Sequence, residues 1–141
     1  MKIIRWLAIA ITAYVALVAG FEGLVTFMGA RHATRGLAPG ETWVVVTTRD
    51  DDGSLKDAVV AGVESGGKLY VSANHWPRSW YQRARKYPDV EVTRNGEKSA
   101  RRALPVEGEE RARVLRDYSL PFALRLLTGF PPRAFLRLDP R

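Results

Sequence analysis

The 141-residue chain contains no cysteine. Disulfides, thiolate zinc sites, iron–sulfur clusters and a cysteine nucleophile are excluded together. Histidine is nearly as scarce. His32 and His75 stand 43 positions apart, so they form no i, i+4 metal pair on a helix, and no metal site is expected. Also missing are the phosphate-cradling G-x-x-x-x-G-K-[ST], the dinucleotide G-x-G-x-x-G and the serine-hydrolase G-x-S-x-G. Asp50-Asp51-Asp52-Gly53 is no calcium loop: counted from Asp50, the twelfth position of an EF-hand would be Ala61, not a bidentate Glu. It reads as a turn, in which Asp side chains satisfy local backbone donors. Negative charge is the minority sign, with 15 Asp and Glu against 22 Lys and Arg. The net +7 suits an anionic partner: a membrane surface, a nucleic acid or a phosphorylated ligand.

What is present begins at the N-terminus. Residues 6–30 carry a single charge, Glu22, between Lys2 and Arg5 on one side and Arg31 and Arg35 on the other. A bilayer core takes about 20 apolar residues in helix, so this stretch can span. Read as a cleaved signal peptide, it has only Val18-Ala19-Gly20 as a poor cleavage site, and its apolar run continues past the length a signal needs. Read as an interfacial helix, it lacks a polar face. A retained single-pass anchor over residues 1–30 is the expectation. Basic residues flank both ends equally, so charge leaves the orientation open. Glu22 is either a partner for a quinone, a proton or another helix, or a protonated or snorkelling carboxyl. Ala16 with Gly20 and Ala19 with Gly23 have the spacing that lets helices approach, and a homodimer is compatible with it.

Gly36, Pro39 and Gly40 mark residues 31–41 as a linker. The hydrophobic period then changes to two. Strands are predicted over 42–48, 56–63, 68–73, 90–94, 98–106 and 134–138, with Ser65-Gly66-Gly67 and Asn95-Gly96 as hairpin turns. Trp80, Ala84 and Tyr87 recur at helical spacing, predicting a helix over 77–87 that Pro88 ends. Further helices are predicted over 107–119 and 121–128. Six short antiparallel strands with inserted helices imply a small β-barrel with α decoration, an α+β domain over 42–141.

The charge is concentrated. Residues 78–102 hold eight basic side chains against three acidic ones, +5 of the total +7, interleaved with Trp80, Tyr81 and Tyr87 and preceded by His75 and Trp76. Guanidinium groups beside aromatic planes suit a flat ring that carries phosphate or carboxylate, and equally suit lipid headgroups or single-stranded nucleic acid. The bland alternative is a solvated helix face over a core held by Trp80 and Tyr87. The membrane helix argues against nucleic acid.

Several motifs in order carry a resemblance. Ser72-Ala73-Asn74, then Pro77-Arg78-Ser79-Trp80-Tyr81, Tyr87-Pro88-Asp89-Val90-Glu91-Val92, Arg94-Asn95-Gly96 and Gly108-Glu109-Glu110-Arg111-Ala112-Arg113 resemble the deazaflavin (F-420)-dependent nitroreductase family. That family lies within the split β-barrel, flavin-reductase and pyridoxamine phosphate oxidase-like superfamily. The resemblance implies a split barrel that binds F-420, or FMN as the alternative, and passes hydride to a quinone or nitro compound. It places Lys56, Ser72, Asn74, Trp76, Arg78, Trp80 and Tyr81 at the cofactor: Lys56 and Arg78 on its anionic groups, Trp76 and Trp80 against its ring. Tyr81 or His75 is the candidate catalytic residue beside the acceptor. It also implies a domain on the cytosolic side of the cell membrane, where such cofactors are found. The sequence departs from the family in two places. A basic, Gly-rich turn is replaced by Arg49-Asp50-Asp51-Asp52-Gly53-Ser54, and the Asn three residues after the helix Trp is Arg83. These departures motivate a second expectation, a non-catalytic split barrel with no cofactor that binds an anionic ligand or partner at the membrane.

Overall fold

The computed structural model describes residues 2–35, 43–73, 79–130 and 132–141, with side chains omitted at 25–26 and 28–35. The β-branched run Trp43–Arg49 is β1, and it pairs along its whole length with β2, Leu55–Ser65. β3, Lys68–Ala73, follows at once. Between them Gly66 and Gly67 both take positive φ, 57° and 72°, as a two-residue hairpin in register with strand twist requires. α2 is Ser79–Lys86, and β4 (Asp89–Arg94) and β5 (Glu97–Pro105) join through Asn95-Gly96, again with both φ positive. α3, Gly108–Asp117, and the short α4, Phe122–Leu127, precede β6, Ala134–Pro140.

The six strands close into an antiparallel barrel in the order β1-β2-β3-β6-β5-β4. The period-two pattern does what it implies. Val44, Val46, Val60, Val71, Val90, Val92, Leu136 and Leu138 point inward and form the core. Residues between them face outward. On β3 and β6, outward-facing Tyr70 and Phe135 meet Val114 of α3 in a second, smaller cluster. α2 plugs one end of the barrel. Trp80 and Ala84, one turn apart, enter the core between strands, while Arg83, Arg85 and Lys86 stay outside it.

The N-terminal helix α1 runs Lys2–Arg35, five residues past the expected end of the anchor and into the expected linker. Nothing between Ala30 and Gly36 breaks a helix, which accounts for the extension. Lys2–Leu24 is long and apolar enough to cross a membrane. α1 also touches the barrel, along β2 and at α4. Tyr14, Val18, Phe21 and Glu22 are half-buried, on one stripe of an otherwise exposed helix. The Tyr14 hydroxyl donates to the Leu126 carbonyl at 2.9 Å, and Val18 Cγ1 lies 3.2 Å from where a Cβ would stand on Gly129.

Candidate functional site

Asn74, His75, Trp76 and Arg78 lie outside the described residues. Of the remaining expected site residues, Lys56, Trp80 and Tyr81 lie around the barrel end that α2 closes, and Ser72 does not. Lys56, opposite Thr48 in the β1–β2 register, is exposed near the turn. Ser72 is buried on β3, opposite Phe135 and hence on the outer face that α3 helps to cover. Trp80 is only 5% exposed and sits in the core, so its indole fixes α2 on the barrel. Tyr81 is half-buried; its ring meets that of Trp80 edge-on at 5.9 Å, with the Arg85 guanidinium 5.9 Å from its centroid.

The acidic turn has an internal job. Within it, Asp50 accepts from the Asp51 amide and Asp52 from the Ser54 amide, which sets the bend. The outward carboxylates then meet α2. Lys86 Nζ donates to Asp51 Oδ1 at 2.7 Å, Tyr87 adds its hydroxyl at 3.2 Å, and Arg83 Nη1 lies 4.0 Å from Asp50 Oδ2. Arg83 Nε also donates to Thr48 Oγ1 at 3.0 Å, and the Thr48 hydroxyl in turn donates a hydrogen bond to the Lys56 carbonyl at 3.2 Å. The ammonium of Lys86 and the Tyr87 hydroxyl hold the Asp51 carboxyl below its ordinary value, and Lys86 is raised in return. Much of the basic excess in 78–102 is thus answered by acids elsewhere in the chain. Arg94 pairs with Glu64 across the hairpins.

A second polar assembly lies on the opposite wall, between α3, β3 and β6. The Tyr70 hydroxyl donates to Glu110 Oε1 at 2.7 Å and accepts from Arg113 Nη2 at 3.0 Å. Arg137 Nη1 bonds both oxygens of Glu110, and its Nε and Nη2 grip Asp139 as a fork at 2.8 and 3.0 Å. The Tyr70 hydroxyl and Arg137 depress the Glu110 carboxyl; Arg137 does the same to Asp139; burial and Glu110 raise the Tyr70 phenol. Arg83, Thr48, Tyr70 and Glu110 were not singled out from the sequence as partners. Each pair is separated by 35 or more positions, so no local pattern marks them.

Among the described residues, no group of three metal-ligating side chains is brought together. Among the described residues, grooves open on the surface. One of about 490 Å³ lies between β1 and β4, lined by Thr47, Arg49, Tyr87, Glu91 and Arg141. One of about 720 Å³ lies beside α3 with Lys68, Arg113, Arg116 and Arg137. A third of about 280 Å³ is walled by Leu115, Leu120, Phe130, Arg125 and Arg133 at the α3–α4 junction.

No protein-family model matches this chain, and no curated protein matches it by sequence. Solved structures do. The fold is similar to an F-420-H2-dependent reductase, FDR-A, at 20% identity and TM-score 0.53, over 74% of this chain and 100% of that one. It is similar to HutZ, the heme storage protein of Vibrio cholerae, at 17% identity and TM-score 0.56, over 72% and 83%. A protein solved as a domain-swapped dimer matches at 24% identity and TM-score 0.55, over 70% and 80%. With the closed six-strand order and these neighbours, the fold is the split β-barrel.

Proposed function

We propose that the chain is a membrane-associated split-barrel oxidoreductase that carries hydride from a bound reduced deazaflavin, F-420-H2, or from reduced FMN, to a quinone or nitro compound. The observation that carries this reading is the structural match to an F-420-H2-dependent reductase along that chain's whole length. The residues at hand fit an anionic cofactor in part. Lys56 is exposed at the plugged end, and Tyr81 is half-buried with the Arg85 guanidinium over its ring. Arg83 and Lys86 are engaged with Asp50, Asp51 and Thr48, so they are poor candidates for holding phosphate. Lys56 and Arg78 therefore bind the anionic tail, Trp76 walls the ring, and Tyr81 or His75 holds the proton that joins the hydride on the acceptor. Trp80 supports from behind, in the barrel core. When bound, the cofactor supplies the hydride, and the chain supplies orientation and charge. α1 keeps the domain at the lipid phase where quinones dissolve, on the cytosolic side, and the protein works as a homodimer.

A second reading is a split barrel that binds an anionic ligand without turnover. The occupied acidic turn favours it, because its carboxylates face α2 where a basic turn would hold phosphate. One titration separates the two. Absorbance of the purified full chain is followed on adding F-420, FMN and haem, then reduced cofactor with menadione. A shift with F-420 and menadione turnover supports the reductase. Binding without turnover supports the second reading. No perturbation by F-420 or FMN refutes the cofactor assignment, and a response to haem alone moves it toward the storage chemistry named for HutZ.

A further inference from the structure

We infer that α1 and α4 together form one apolar ridge lying in a single leaflet, with the barrel flush against the membrane; the inference rests on the membrane reading above. The first ground is depth. In a helix rising 1.5 Å per residue, Tyr14 lies about 12 Å from Trp6 and about 15 Å from Leu24, the middle of the apolar stretch. Tyr14 is bonded to Leu126, and Val18 is packed on Gly129. A helix crossing the bilayer in this docked state would carry α4 and its Arg125 to the hydrocarbon midplane, an expensive place for a guanidinium. Crossing and docking exclude each other.

The second ground is α4 itself. Phe122 is 68% exposed, Leu126 40% and Phe130 45%, and the two rings contact each other in the open at 5.8 Å between centroids. This apolar knob is continuous with α1, whose Ile4, Leu7, Ile11, Val15 and Leu24 are also exposed. Charge fits the same occupant. Arg125 is exposed and lies over the Phe130 ring at 5.6 Å, so a cation borders the apolar surface as it does where a protein meets anionic headgroups. An interfacial helix needs a polar face, which α1 lacks by itself. The barrel takes that place: the half-buried stripe of Tyr14, Val18, Phe21 and Glu22 faces protein, and the lone carboxylate of the apolar stretch lies on that docked side. Lys2 and Arg5 then reach headgroups along the plane.

Because the chain has no cysteine, single labels are simple to place. Val15→Cys, Phe122→Cys, Phe130→Cys and, as a control on the distant β4–β5 hairpin, Glu97→Cys are each made in the full chain and coupled to an environment-sensitive fluorophore. Each is bound to vesicles of phosphatidylcholine and phosphatidylglycerol carrying a spin-label quencher either high on the acyl chain or near its methyl end. The expected result is that labels at 15, 122 and 130 are quenched more by the shallow quencher, by a factor of two or so, and that at 97 by neither. Strongest deep quenching at 15, with 122 and 130 as unquenched as 97, means a crossing helix and overturns the inference while sparing the membrane reading. Failure of the chain to float with the vesicles overturns both.

Discussion

Trp80→Ala tests how α2 is held on the barrel. The indole is 5% exposed and packed among inward-facing valines and leucines, with the Tyr81 ring edge-on at 5.9 Å. Truncation removes the transfer free energy of a large aromatic and leaves a cavity that a closed barrel collapses poorly, at a cost of about 3–5 kcal/mol. The lost aromatic pair lies within that range, at about 0.5–1.5 kcal/mol. Small domains have only about 5–15 kcal/mol in total, and each kcal/mol shifts Tm by roughly 4 °C at this size, so Tm should fall by something on the order of 15 °C. Trp80→Phe should lose about a third of that. Thermal unfolding of the full chain in mild detergent, followed by near-ultraviolet circular dichroism, reads both. A Trp80→Ala loss under about 1 kcal/mol would refute the plug and return Trp80 to the list of ring-facing residues.

Arg83→Ala removes the bond to Thr48 and the approach to Asp50; with the side chain largely buried, the expected cost is about 1–2 kcal/mol in urea unfolding, and an unchanged midpoint would show that the acidic turn does not hold α2. Lys56→Ala and Arg78→Ala should each weaken F-420 binding by about 1.5–3 kcal/mol, roughly 10- to 100-fold in Kd, with Tm unmoved; equal loss in Arg83→Ala, whose guanidinium is engaged with Thr48 and Asp50, would mean diffuse charge rather than a site. Glu110 and Asp139 are held below their ordinary values of 4.5 and 3.8, so unfolding takes up protons in acid. Their stabilisation is complete above about pH 5 and drains as pH falls through the depressed values; Tyr70→Phe should make the acid fall in Tm shallower, and an identical slope would dismiss the Tyr70–Glu110 bond as a contributor. Removing residues 1–30 should leave a cooperatively folded barrel that washes off membranes in carbonate, and carbonate-resistant binding would place the main membrane determinant elsewhere.

What the sequence revealed and what it hid divides by distance along the chain. β3 runs Lys68–Ala73 as its alternation predicts, and the Gly66-Gly67 and Asn95-Gly96 turns join the strands expected of them. β1 runs on to Arg49 and β6 to Pro140, because strand ends are set by the neighbouring ladder rather than by their own residues. α2 with Trp80 and Ala84 inward was legible from spacing. That Lys86 would answer Asp51, or Arg137 would answer Glu110, was not: such pairs exist only once the register is fixed. The same limit hid α1's docking. Its residues read as lipid-facing all round, and only tertiary contact distinguishes the stripe from Tyr14 to Glu22. The segment expected to hold half of the site, residues 74–78, lies outside the described residues.

The barrel's closure has a consequence for crowding at a membrane. A ring of strands has no free edge, so two copies held side by side cannot extend each other's sheet. That protection is uneven. β1 and β2 are joined by seven register pairs, but β1 and β4 by only three, Val45 with Thr93, Val46 with Val92 and Thr47 with Glu91. This seam is the shortest in the ring. Its amides should be the first in the barrel to exchange with solvent, and its opening would bare two complementary edges at once, each a template for the other's counterpart on an adjacent chain.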